Sequence, residues 1–278
     1  MRVRDHDHVS GEFRGAAHRD CNLQYRLLKK RNKDDEDSFV IPVVFHNLRG
    51  YDSHLIMEEI GKFNRKTDVI PNTLEKYIGF TFGSLRFIDS LQFMGTSLEK
   101  LVSNLAQEGK QKFRNMGKFI PDAEQQDLLL RKGVYPYDHV DCAAKLTETS
   151  LPSKDSFYSL LTEQHISDAD YQHAKTVWDT FRCTTLGDYH DIYLKSDVLQ
   201  LADVFENFRS VCLDNYHLDP AHYYTAPGLS WDAMLLSTGV KLDLITDIDM
   251  YLMVESGIRG GTRRKTEVSQ HGQVHSRR

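Results

Sequence analysis

Two stretches of this 278-residue chain place carboxylates where a metal ion could be held: Phe45-His46-Asn47-Leu48-Arg49-Gly50-Tyr51-Asp52, after an apolar run, and Tyr193-Leu194-Lys195-Ser196-Asp197, inside a long helical pattern. Carboxylates so placed suit phosphodiester hydrolysis, in which two divalent ions about 4 Å apart are fixed and neutralised by three or four such groups. Tyr193 and Asp197 are four apart, so on a helix they stack on one face, about 100° from the apolar stripe. A tyrosine there can hold the attacking water or the scissile phosphate while the aspartate holds a metal. Asn47 offers both a donor and an acceptor to a nucleotide edge, and Asp52 can bind a cation directly or through water. Each feature has a plainer alternative. Tyr-x-x-x-Asp recurs in helices by accident, and Asp52 or Ser53 would serve as an ordinary helix cap.

The elements that must position these groups follow from periodicity. Residues 39–45 are apolar and rich in Val and Ile, which predicts a strand buried on both faces. Spacing over 52–62 predicts a helix, and 77–93 reads as two strands joined at Gly83-Ser84, the second being Leu85 to Asp89. Ser97 opens another helix. Weak periodicity from 107 to 156 predicts loops with short elements, and Ser167 heads a helix running to about Phe181. Leu194, Val198, Leu201, Phe205, Phe208 and Cys212 form the apolar stripe of a helix over 186–214, and a last helix runs from Trp231 to about Gly239. No internal repeat is present. Strand, helix, paired strands and packed helices together predict a mixed α/β layer fold.

Composition is that of an ordinary globular chain, with no run of apolar residues long enough for a membrane span and no secretory leader at Met1. Four scattered cysteines, Cys21, Cys142, Cys183 and Cys212, suggest no disulfide framework, so an intracellular site, nucleus or cytoplasm, is expected. The net charge of −5 is unevenly spread. Residues 1–33 hold nine Lys/Arg against four Asp/Glu, and 259–278 hold six against one. Basic ends around an acidic body suit phosphate-backbone contacts beside a metal-binding cleft, or are simply solvated tails.

In series, the motifs resemble a known family. Asn47 to Asp52 resembles the second exonuclease motif of family B DNA polymerases, and Tyr193 to Asp197 the third. Between them, Asp89-Ser90-Leu91 resembles the single-strand-binding element of the protein-primed branch, and Lys132-Gly133-Val134-Tyr135 its lysine motif. Gly257-Ile258-Arg259-Gly260-Gly261 resembles the Tyr-x-Gly-Gly linker to the polymerase domain, with Ile258 in place of the tyrosine. The run from Phe45 to Leu55 and the run from Tyr224 to Trp231 are most similar to polymerases of Polinton or Maverick transposable elements and related viruses. The resemblance implies an α/β, ribonuclease H-like 3′–5′ exonuclease domain over 39–214, the start of a polymerase domain over 215–261, and an unrelated polar tail over 262–278. It implies Mg²⁺ or Mn²⁺ on Asp52 and Asp197, water oriented by Tyr193, and a single-stranded primer end guided by Asn47, Ser90, Leu91 and Lys132. Arg259, Gly260 and Gly261 would meet primer-template DNA, and a terminal protein primer would be a partner; no membrane is implied.

The segment 1–33 resembles the ββα-metal (HNH) core of recombination endonuclease VII proteins, through Asp5-His6-Asp7-His8, Gly11 to Gly15 and His18-Arg19-Asp20-Cys21-Asn22. That likeness makes His6 or His8 the activator of water and gives Asp5 and Asn22 a metal. His18 and Cys21 would be half of a zinc site, but no upstream Cys-x-x-Cys exists, so bound Zn²⁺ is not expected. The family's first exonuclease strand carries an Asp-x-Glu pair. Asp34-Asp35-Glu36 has that spelling but lies in a hydrophilic charge run, so the sheet is expected to lack its early strands and the palm to be absent. Neither nucleotide incorporation nor more than slight exonuclease activity is therefore expected of this chain alone. A non-catalytic DNA-binding remnant and an HNH-type endonuclease are the competing expectations.

Overall fold

The computed structural model describes residues 40–63, 65, 67–73, 76–243 and 245–257, together with the strand backbones of Arg2–His6 (β1) and Phe13–His18 (β2). These two strands pair antiparallel, Arg2 opposite His18 and His6 opposite Phe13. His8, Cys21, Asn22, Asp34 to Glu36, Arg259, Gly260, Gly261 and the tail 262–278 lie outside the described residues.

A four-stranded sheet carries the front half of the chain. Ile41–Phe45 (β3), Thr67–Pro71 (β4), Tyr77–Phe82 (β5) and Leu85–Asp89 (β6) take the order β3-β6-β5-β4. The last three form an antiparallel meander, whose β5–β6 turn is made at Gly83 with φ 58°, a left-handed conformation that a residue without Cβ adopts freely. β3 adds alongside β6 in parallel, Val43 beside Phe87 and Phe45 beside Asp89. A parallel pair needs a crossover, and the chain between β3 and β6 includes the helix Asp52–Ile60 (α1). Phe80, Phe87, Leu48 and Ile60 are buried together between sheet and helix, with the Phe80 and Phe87 rings stacked at 4.5 Å.

One expectation is corrected here. β3 is not buried on both faces: Ile41 is 44% exposed, and β3 is the outer strand of the sheet among the described residues. Ile41 and Pro42 point to opposite faces and are both exposed: an apolar run reports a tendency to bury, whereas what covers each face is set by the segments that pack on it.

Helices form the rest. Leu98–Gln107 (α2), Arg114–Phe119 (α3), Ala123–Leu129 (α4) and Asp168–Thr180 (α5) precede Leu186–Tyr216 (α6), which is followed by Ala226–Thr238 (α7) and Ile248–Gly257 (α8). Their starts are written in side chains: Ser97, Asp122 and Ser167 each accept from a backbone N–H three residues on, and Thr185 with Asp188 makes a reciprocal capping box. β4 and α8 have no counterpart in the periodicity reading. The chain divides into two compact units, Met1–Ala233 and Met234–Arg278. In the first, the α6 ring Phe205 packs with Ile88 of β6 and Ala221, joining the long helix to the sheet. In the second, Ile248, Met250, Tyr251, Leu252 and Met253 of α8 are exposed.

The buried face of α6 differs from the predicted stripe. Leu194 and Val198 are 53% and 58% exposed, whereas Ser196, Leu199, Gln200, Asp203 and Val204 are buried with Phe205 and Cys212. The predicted stripe thus holds in the second half of the helix, where Phe205 and Cys212 are buried and Leu201 and Phe208 half-buried, and fails in the first half, where the opposite, partly polar face is buried. Burial is tolerated because each polar group is matched. Asp203 accepts from Asn115 N at 2.7 Å and Met116 N at 2.9 Å, capping α3 from outside. The Gln200 amide donates to the carbonyls of Leu129 and Arg131, where α4 ends.

Candidate functional site

The predicted residues gather in two clusters. The first lies where β3 and β6 end side by side, the edge at which open α/β sheets place ligand sites. Asp89 is fully buried there; its Oδ1 accepts from Asn47 N at 2.8 Å and from Leu91 N at 3.0 Å. Ser90 is also fully buried, its hydroxyl donating to the Phe45 carbonyl at 2.9 Å and lying 2.9 Å from His46 Nδ1. His46 Nε2 donates to the Thr96 carbonyl at 3.0 Å. The Ser90 side chain is thus committed inside the fold, and its part is to hold the two turns together; Leu91 is half-buried and Asn47 exposed. Asn47 sits in the left-handed region, φ 70°, with its amide over Gly50, where a Cβ would come within 2.6 Å of it. Asp52 is half-buried at the start of α1, where the positive end of the helix dipole favours a carboxylate.

The second cluster is built on α6. Tyr193 and Asp197 share its face as their spacing requires, and both are half-buried. The Tyr193 hydroxyl bonds that of Tyr137, and its ring packs 4.9 Å from the Tyr135 ring. Gly133 lies directly against that ring. Burial, the bond to Tyr137 and the nearby Asp197 charge push the Tyr193 phenol far up, so it stays protonated and able to donate at any working pH. Burial also raises the Asp197 carboxyl, opposed by the Tyr193 hydroxyl and by the charge of exposed Lys132. Lys132 is placed by what flanks it. Gln200 holds the carbonyls before it, and Gly133 after it abuts Tyr193.

The second cluster can take up a phosphate through the exposed ammonium of Lys132, and the first a base or sugar edge through Asn47. Among the described residues no three His, Cys, Asp or Glu side chains converge where a metal could sit; Asp52 and Asp197 each stand without such a grouping. For Asp5, His6 and His18 only strand backbone is described.

The family model of DNA polymerase type B, organellar and viral, matches residues 40–274. The chain belongs to that family. Searches of curated proteins and of solved structures return no match. Membership makes DNA the partner of this polymerase region and DNA replication its process, and the mixed α/β build with a small four-stranded sheet agrees with a domain of such an enzyme. Among the described residues no helix is long and apolar enough to cross a membrane.

Several residues of the two clusters have no part of their own in the sequence: Asp89 stands only as the head of Asp89-Ser90-Leu91, and Tyr135, Tyr137, Gly133, Ser196 and Gln200 carry no site role there. A usable signal existed for the last two: polar residues four apart on a helix whose neighbours are apolar must find partners if that face is buried.

Proposed function

We propose that this region of a type B DNA polymerase holds the single-stranded 3′ end of a primer on a ribonuclease H-like frame of the proofreading kind, and that the chain binds this strand without cleaving it. The observation that carries the reading is the meeting of two motifs distant in sequence: Gly133 lies against Tyr193, and the Lys132 charge acts on Asp197. In an intact proofreading site Asp52 and Asp197 would be among the holders of Mg²⁺ or Mn²⁺, and such ions would supply the nucleophilic water. The non-cleaving part of the reading is supported by the sequence, in which the only Asp-x-Glu spelling before Asp52, Asp34-Asp35-Glu36, lies in a hydrophilic charge run. Lys132 attracts the phosphate, and Asn47 with Leu91 meets the terminal nucleotides.

The test pairs two assays on wild type and Asp197→Ala: anisotropy of a 3′-labelled single-stranded oligonucleotide, and its digestion with Mn²⁺. Binding by both proteins with cleavage by neither is the expected result. Cleavage that disappears in Asp197→Ala would overturn the non-cleaving part, and absence of binding would overturn the whole reading. Primer extension should yield no incorporation. The finer kinship with Polinton or Maverick polymerases rests on the runs from Phe45 to Leu55 and from Tyr224 to Trp231, and it carries with it a terminal protein as primer.

We also propose an HNH-type endonuclease role for residues 1–33, supported by the antiparallel pairing of β1 and β2, a hairpin of the kind a ββα-metal core requires. Nicking of branched or duplex DNA that is lost in His8→Ala is the expected result; no nicking by wild type would remove this role.

A further inference from the structure

We infer that Asp89 is a positioning residue for strand binding, coupling the turn after β3 to the turn after β6 so that Asn47 and Leu91 meet DNA as one unit. This rests on the single-strand reading above. One atom, Asp89 Oδ1, accepts from both Asn47 N and Leu91 N, so neither turn can shift without disturbing the bond made to the other. The carboxylate is wholly buried and its second oxygen, Oδ2, has no partner among the described residues. Leaving a lone pair of a buried carboxylate unmatched is costly, so the gain lies in the two bonds it makes. Those bonds hold a turn that only a few residue types can make. Asn47 adopts the left-handed conformation, φ 70°, which asparagine tolerates better than most side chains, and its amide folds over Gly50, which has no Cβ to obstruct it. Ser90 and His46 tie the same two turns a second time, through the Phe45 and Thr96 carbonyls. This places a rigid support beneath exposed Asn47 and half-buried Leu91.

Two variants separate positioning from simple structural need. Asp89→Asn keeps a carbonyl oxygen at the shared position and removes the charge, whereas Asp89→Ala removes the acceptor. Hydrogen exchange at the Asn47 and Leu91 amides and the affinity for a fluorescein-labelled oligo-dT are measured on each full-length protein. In Asp89→Ala both amides should exchange about tenfold faster or more, and oligo-dT should bind about tenfold more weakly, with exchange in α5 unchanged. Asp89→Asn should stay within about threefold of wild type on both readouts. Wild-type affinity in Asp89→Ala despite faster exchange would overturn the inference. So would an Asp89→Asn protein as impaired as Asp89→Ala, which would assign the effect to charge. A wild type that does not bind oligo-dT would remove the single-strand reading, and with it any role for Asp89 in binding, while exchange still decides whether Asp89 couples the turns.

Discussion

Gly133 faces the ring of Tyr193 so closely that a Cβ built on it would stand 2.6 Å from two ring carbons, Cδ2 and Cε2. Real Cβ atoms essentially never sit so close to a neighbour, so Gly133→Ala must push the Tyr193 ring aside or displace the Lys132-Gly133 segment. The expected cost is about 1–3 kcal/mol, the range for inserting a methyl into a packed site. Urea unfolding measures that cost, and oligonucleotide anisotropy should show weaker binding by the folded variant. Unchanged stability and binding would show that Tyr193 has room to move.

Gln200 should matter more than its polarity suggests. Its amide satisfies the carbonyls of Leu129 and Arg131 inside the fold, and Gln200→Leu leaves them without that donor. A loss of about 1–3 kcal/mol follows from stranding buried acceptors, read as a lower urea midpoint at unchanged m-value. Because the Lys132 turn follows directly, oligonucleotide affinity should fall as well.

Asp197→Asn should separate stability from binding. Burial raises the Asp197 carboxyl in the folded state, with Tyr193 and Lys132 opposing. A raised folded value means that the folded state binds the proton more tightly. The associated stabilisation is therefore full below the unfolded value and is lost as pH rises through the folded one. At neutral pH the ionised carboxylate is a burden, and the uncharged amide should raise Tm, by a few degrees at most. Thermal melts at pH 7 and pH 4 test this, with the gain expected to shrink at the lower pH.

Asp188 has the opposite sign. The Thr184 hydroxyl and the N–H groups of Thr184 and Thr185 donate to its Oδ2, holding its carboxyl at about 2. A depressed folded value gives stabilisation that is present above the ordinary value of 3.8 and is lost as pH falls toward 2. The Asp188 carboxyl resonance should titrate near 2, and exchange at the first turn of α6 should quicken over that interval. Titration near 3.8 would show that the capping box does not persist in solution.

Tyr224 seals the sheet through Gly79. Its ring occupies the space a Cβ on Gly79 would need, its hydroxyl lies 3.0 Å from Thr81 Oγ1, and Arg86 stands 5.6 Å from its centroid. Tyr224→Ala should cost about 2–4 kcal/mol by emptying that site, and Gly79→Ala, whose Cβ would meet both the ring and the Phe87 carbonyl of β6, should lose at least as much. Both are measured by denaturant unfolding, and a loss below about 0.5 kcal/mol in both would show the contact to be superficial.

The elements were largely legible because their signals are local. Gly83-Ser84 between two apolar runs marks the β5–β6 turn, and Ser97, Ser167 and Thr185 mark helix starts, since a cap and its partner stand three residues apart. The α6 face was legible only in part. The apolar stripe locates buried Phe205 and Cys212, but nothing local shows that Ser196, Gln200 and Asp203 are buried, because their partners, the carbonyls of Leu129 and Arg131 and the amides of Asn115 and Met116, are distant in sequence. Likewise, residues 39–45 declare a strand but not that it is the outer strand of the sheet among the described residues.

For the site, the residues themselves determined the candidates, because Tyr193 and Asp197 at helical spacing must share a face whatever surrounds them. Tertiary structure alone decided what those groups became. It set Gly133 against the Tyr193 ring, brought Lys132 near enough to act on Asp197, and buried Asp89 between the two turns it joins. The physical reason is range. Spacing along one element fixes a direction within about a turn of helix or a few residues of strand, whereas burial, desolvation and hydrogen-bond partners depend on segments that meet only after folding.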